Sequence, residues 1–310
     1  MKNLAVGIFH DEELGRELGK KGTESDIAMF NRKTEEYIFT FLSAVVDKLA
    51  AKSQIMSSID VALLSVQKMT PEVGETILML DSFGISQGIV IVPPYTDLNP
   101  IKALMKGTSL ASFLIKERDC SSILGFLNEI TPQRKPTALP MVTVDHSFSV
   151  KGVGEVALGF VKKGILRKHD SLLLLPANKE VVVRSIQIQD KEVEEAEAGS
   201  RVGLAIKGAT AEEMKRGSLL CPAASATLTT TISLSFTHNR FYTERIKEGL
   251  FHVTVGMQTV PVNVTNIHNG SITLESEKPL VYTPDDTFLL MNLNAKKLHI
   301  IGHGKAITPS

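Results

Sequence analysis

Residues 144–160 read VDHSFSVKGVGEVALGF. Two glycines bracket a valine at Gly152-Val153-Gly154 and a third follows at Gly159, the look of a backbone loop that cradles phosphate. Such a loop needs a helix after it, whose N-terminal N–H groups face the anion. The flanking sequence offers none. Apolar residues fall at Val142, Val144, Phe148 and Val150, then at Val181 and Val183, then at Leu228, Ile232, Leu234 and Phe236, the period of two that marks strands. In an all-β segment these glycines serve a tight turn or a close strand crossing.

Working outward, turn residues recur at Lys163-Gly164, Ala198-Gly199, Lys207-Gly208, His268-Asn269-Gly270 and Thr283-Pro284-Asp285. Short strands so punctuated predict two small barrels. The pattern upstream is different. Leu4 to Phe9, Ile59 to Val66 and Gln87 to Val92 read as strands, with helices over Pro71 to Phe83, Asn99 to Met105 and Ser121 to Ile130. Glu36 to Lys52 carries Ile38, Phe41, Leu42, Val45, Val46 and Leu49 at helical spacing and is expected as an amphipathic helix. Alternation of this kind implies a mainly parallel sheet covered by helices. Between the two regimes, Thr131 to Pro140 holds three prolines and is expected as an extended linker. The expected domains are 1–134, 138–224 and 226–310.

Composition narrows the function. Lys and Arg number 34 and Asp and Glu 34, so no global field draws an anionic partner. The two cysteines, Cys120 and Cys221, have no metal-site spacing. The apolar runs 88–92 and 172–175 end in proline, far short of the roughly 20 residues of a membrane span. A cytoplasmic protein without membrane or DNA partners is expected.

Candidate chemistry is sparse. Leu14 to Lys21 offers a Gly19-Lys20 pair, but leucine stands where G-x-x-x-x-G-K-[ST] needs its first glycine, and Lys21 replaces the magnesium ligand. Asp11, Glu12 and Glu13 would repel a triphosphate. The histidines lack metal-site spacing, so no metal is expected. Glu192 to Glu197 reads as a solvated loop, without the desolvated partner that acid–base catalysis requires. Basic residues Lys162, Lys163 and Arg167 could neutralise RNA phosphates or simply be solvated.

With linker and barrels placed, Val144 to Gly159 resembles the D-x-F-x-I-x-G-x-G-T-V-x-x-G hairpin of elongation factor Tu and the selenocysteine-specific elongation factor, with Glu155 at the usual threonine. Ala198-Gly-Ser-Arg-Val-Gly-Leu-Ala-Ile-Lys-Gly208 with Glu212-Glu-Met-Lys-Arg-Gly217 is similar to a second block of the same domain. Leu274 to Leu290 and His299 to Gly304 resemble the selenocysteine-specific branch. Upstream, Ile59 to Val66 and Gly84 to Val92 resemble strands of the family's GTPase domain, but Pro93-Pro-Tyr-Thr-Asp97 stands where N-K-x-D should read guanine, and residues 11–145 contain no histidine to match D-x-P-G-H.

The resemblance therefore implies an α/β, Rossmann-like, G-domain-derived parallel sheet followed by two all-β barrels of the translation-factor type. It implies a non-hydrolysing paralogue, not an enzyme and without cofactors, that binds tRNA or ribosomal RNA within the translation machinery. The alternatives are an active GTPase using GTP and magnesium through unconventional motifs, or a protein-binding scaffold. Lys20 and Asp97 are the residues left for a nucleotide. For the aminoacyl end of tRNA, the resemblance points to Phe148, Val150, Gly152, Gly154 and Arg201; the charge pattern adds Lys162, Lys163 and Arg167 as candidates for phosphates. Phe148 equally fits a barrel core by its alternation.

Overall fold

The computed structural model describes residues 1–46, 48–132, 134, 137–268 and 270–307. It contains two compact units, one of residues 1–133, 236–246 and 289–304, the other of 134–235, 247–288 and 305–310.

The N-terminal part runs β1 (Lys2–Phe9), α1 (Glu12–Leu18), β2 (Lys20–Glu24), β3 (Ile27–Lys33), β4 (Tyr37–Ala44), α2 (Leu49–Met56), β5 (Val61–Ser65), α3 (Pro71–Ser82), β6 (Gly88–Ile91), α4 (Asn99–Met105), β7 (Leu114–Lys116) and α5 (Cys120–Glu129). The seven strands lie in the order β2-β3-β4-β1-β5-β6-β7. All pairings from β4 through β7 are parallel, and β2 and β3 add an antiparallel edge. Helices start where chemistry caps them: Thr70 accepts from the Val73 N–H ahead of Pro71, and Asp119 accepts from the Ser122 N–H. Under α5, Ile123, Leu127 and Ile130 pack with Leu4, Val6, Phe39 and Phe41 in one buried cluster. The Tyr37 hydroxyl donates to the Ile130 carbonyl at 2.8 Å, tying the end of α5 to β4.

The helix expected over Glu36 to Lys52 is corrected: β4 ends at Ala44 and α2 begins only at Leu49. Between β3 and β1, β4 is covered on both faces, so Phe39, Thr40, Phe41, Leu42 and Ser43 are all buried and the period of two vanishes. The surviving apolar spacing matched a helix by coincidence. The aromatic and β-branched run Tyr37-Ile38-Phe39-Thr40-Phe41 was the strand signal.

The first barrel comprises β8 (Met141–Val150), β9 (Gly154–Lys163), β10 (Ile165–Arg167), β11 (Ser171–Leu175), β12 (Lys179–Ile188), β13 (Lys191–Val193), β14 (Glu195–Glu197), β15 (Arg201–Lys207) and β16 (Leu219–Cys221). Six strands in the order β11-β16-β8-β9-β15-β12 close through the β11–β12 pairing, every neighbour antiparallel. The second barrel closes in the order β17 (Thr227–His238), β20 (Ser271–Tyr282), β19 (Gln258–His268), β18 (Gly249–Val255), β21 (Phe288–Met291), β22 (Ile300–Ala306).

The opening glycines divide the two tasks expected of them. Gly152 (φ 84°) and Gly154 (φ 103°) make the β8–β9 turn, where the Val153 N–H reaches the Val150 carbonyl at 3.1 Å. Gly159 sits mid-strand, where a Cβ would overlap the Thr143 carbonyl oxygen of β8. The solvated loop expected at Glu192 to Glu197 is instead β13 and β14; its glutamates are exposed, as expected, but the backbone is paired. Within the expected linker, residues 133, 135 and 136 lie outside the described residues, as does Asn269 of the expected turn. Arg134 is described, and its guanidinium fills the space a side chain at Gly199 would need. Among the described residues, no helix is long and apolar enough to cross a membrane.

Candidate functional site

In an open α/β sheet, ligands bind beyond the carboxyl ends of the strands. At that edge β1 ends at Phe9 and α1 begins at Glu12, leaving two residues, His10 and Asp11, to connect them. Asp11 caps the helix: Oδ1 accepts from the Leu14 N–H at 3.0 Å, while Oδ2 accepts from Arg118 Nε at 2.9 Å. Arg118 also donates both terminal nitrogens to Glu17, each at 2.9 Å. These carboxylates push the Arg118 pKa upward, Glu17 first and Asp11 next. In return, hydrogen bonds from Arg118 and then from the Cys120 thiol hold Glu17 below the usual carboxylate range.

Glu12 and Glu13 occupy the first turn of α1. The partial positive charge at this helix start therefore already faces three acids, with Asp11 bonded directly to it. The acids that argued against a phosphate in the sequence are the helix start signal itself. Asp11→Ala removes that cap and one Arg118 bond, and is expected to destabilise the protein by about 0.5–2 kcal/mol in urea titrations.

The two residues left for a nucleotide stand apart. Lys20 is exposed at the start of the edge strand β2. Asp97 is exposed ahead of α4, where its Oδ1 accepts from the Asn99 N–H at 3.0 Å in a local turn. The strands nearest them in sequence, β2 and β6, are five steps apart in the sheet, about 24 Å at the usual strand spacing.

On the first barrel, Phe148 is 38% exposed, which settles the core reading against itself, and its ring tilts against His146 at 5.8 Å. Val150 is half-buried, and Val153 is exposed between Gly152 and Gly154. The hairpin end thus presents apolar side chains to solvent on a two-stranded stem.

The cations have carboxylate partners. Lys162 pairs with Asp286, and Lys163 with Asp285 at 2.5 Å. Arg167 lies 3.3 Å from Glu195. Arg201 donates to Asp145 at 2.6 Å and its guanidinium lies 5.0 Å from the Phe160 ring centre. A phosphate would have to compete with a carboxylate at each of these residues. Sequence gave no sign of this, because the partners of Lys162 and Lys163 lie more than a hundred positions away.

Residues 154–221 match the family model described as elongation factor Tu domain 2. Over 309 residues the chain is 36% identical to the uncharacterized protein MJ0325 of Methanocaldococcus jannaschii, covering 98% of this chain and 100% of that protein. It is 26% identical over 330 residues to the selenocysteine-specific elongation factor of the same organism, covering 91% of this chain and 70% of that one. The crystal structure of translation elongation factor SelB from Methanococcus maripaludis, in complex with the GTP analogue GPPNHP, matches with a TM-score of 0.85 at 25% identity, over 99% of this chain and 79% of that chain.

The chain belongs to the elongation factor Tu/SelB family.

Its parallel sheet followed by two six-stranded antiparallel barrels is the architecture of that family. The likeness extends to elongation factor 1-alpha of Methanospirillum hungatei, at 26% identity over 239 residues, where the chain spans 56% of that protein's length.

Proposed function

We propose that this elongation-factor-like protein acts in protein synthesis without using GTP, as a non-hydrolysing member that binds tRNA or ribosome-associated RNA through its barrels. The observation that carries the proposal is the two-residue β1–α1 connection, in which the Asp11 carboxylate caps the helix and is itself held by Arg118. Phosphoryl transfer in this class rests on a backbone cradle, magnesium ligands and a positioned water acting together. A two-residue turn is too short for the cradle, and acids line it. RNA recognition is supported by the family relationship and by the exposed Phe148 and Val153 at the end of the β8–β9 hairpin, side chains suited to stacking or apolar contact.

Parallel titrations test both halves. With labelled GTP and magnesium, no saturable binding is expected up to about 1 mM, the range of a very weak complex. With aminoacyl-tRNA, a complex is expected whose affinity falls as salt rises and which weakens on Phe148→Ala. Tight GTP binding abolished by Lys20→Ala would overturn the first half in favour of an unconventional GTPase. Absence of any RNA complex would overturn the second in favour of a protein-binding scaffold.

A further inference from the structure

Within the unit that contains the α/β sheet lies a cavity of about 950 Å³, at the upper end of what small-molecule sites occupy. Its walls are α2, the first half of α3, the end of α4, Phe241 and residues 293–299. Leu49, Leu78, Leu104, Phe241, Leu293 and Leu298 make the lining mostly apolar. Phe241 and Leu293 remain 44% and 39% exposed. Phe241 is held in place: Arg240 stacks on its ring at 4.7 Å while donating to the Leu104 and Lys106 carbonyls at 3.3 and 3.0 Å. Such a wall is built before any ligand arrives.

The charge in the cavity is predominantly positive. Lys48, Lys52, Lys296 and Lys297 line it, against Glu72 and Glu75. Glu75 is 6% exposed and already accepts from the His299 N–H at 2.6 Å and from its Nδ1 at 2.8 Å. Lys48, Lys296 and Lys297 make no ion pair among the described residues. Apolar surface beside exposed ammonium groups without a carboxylate partner among the described residues matches a ligand with an apolar body and an anionic head.

Gly74 adds a further sign. It stands in the interior of α3, where glycine weakens a helix, yet a Cβ there would meet only Leu104 Cδ2, at 3.9 Å. Its missing side chain leaves the cavity open.

We propose that this cavity binds a small amphipathic anion, an aliphatic or aromatic body carrying one carboxylate or phosphate group.

The test uses the full chain and the fluorescent anion 1-anilinonaphthalene-8-sulfonate as probe, followed by displacement with dodecanoate, dodecyl phosphate, dodecanol and dodecyltrimethylammonium. Saturable binding of the probe is expected, displaced by the carboxylate or the phosphate, whichever head group the site prefers. The alcohol is expected to compete at least about tenfold more weakly and the cation not at all, since a hydrogen bond to a charged group is worth about that factor. The double change Lys296→Glu, Lys297→Glu is expected to weaken the probe by at least about tenfold. Gly74→Phe, which fills the cavity from a helix position with room for a side chain, is expected to abolish binding while leaving the thermal transition unchanged or higher. Absence of saturable binding, equal competition by dodecanol, or wild-type affinity in a folded Gly74→Phe protein would each overturn the proposal.

Discussion

Arg201→Ala is expected to destabilise the first barrel by about 3–5 kcal/mol, because it strands a buried carboxylate. The Asp145 side chain is 4% exposed and that of Arg201 13%, and the two are joined at 2.6 Å. The substitution also removes the cation from the Phe160 ring. Heating followed by circular dichroism should show a transition lowered by about 6–20 °C. The double change Asp145→Leu, Arg201→Met removes both charges and is expected to recover most of the loss. A thermal transition unmoved by Arg201→Ala, together with lost RNA binding, would instead assign Arg201 to the RNA surface.

Phe39→Ala is the second large effect, also about 3–5 kcal/mol, by loss of a core aromatic and the cavity it leaves. Phe39 is wholly buried in β4 and stacked between Tyr37, at 5.3 Å, and Phe41, at 6.0 Å. These residues share one face because strand side chains alternate. That face supports α5, so hydrogen exchange should rise in α5 as well as in β4. If exchange rises in β4 alone, the aromatic row does not carry the helix.

Legibility followed burial and separation along the chain. β1, β5 and β6 were readable as short apolar runs, and α3 and α4 as helices with proline in the first turn. β4 was not, since a strand covered on both faces loses its alternation. The edge strand β2 is exposed throughout and offered no pattern at all. At the carboxyl edge of the sheet, the absence of G-x-x-x-x-G-K-[ST] was legible, but the ion pairs around the start of α1 were not. Asp11, Glu17 and Arg118 lie 101 or more positions apart across their ion pairs. Likewise the exposure of Phe148 could not be told from alternation, because β8 is buried from Met141 to Asp145 and then turns to solvent.

The pairs Lys162–Asp286 and Lys163–Asp285 span 124 and 122 residues. A chain that leaves the ribosome at about 5–20 residues per second makes those lysines wait about 6–25 s for their partners. The last strand of the first barrel, β16, ends at Cys221, which leaves about 3–13 s of that interval for the barrel to close on its own core of Val142, Val144, Leu174, Val183 and Leu204. The ion pairs are thus late fastenings, set after the barrel that carries the lysines has had time to form. Slowing synthesis between residues 220 and 280 would lengthen the wait without removing what holds that barrel together.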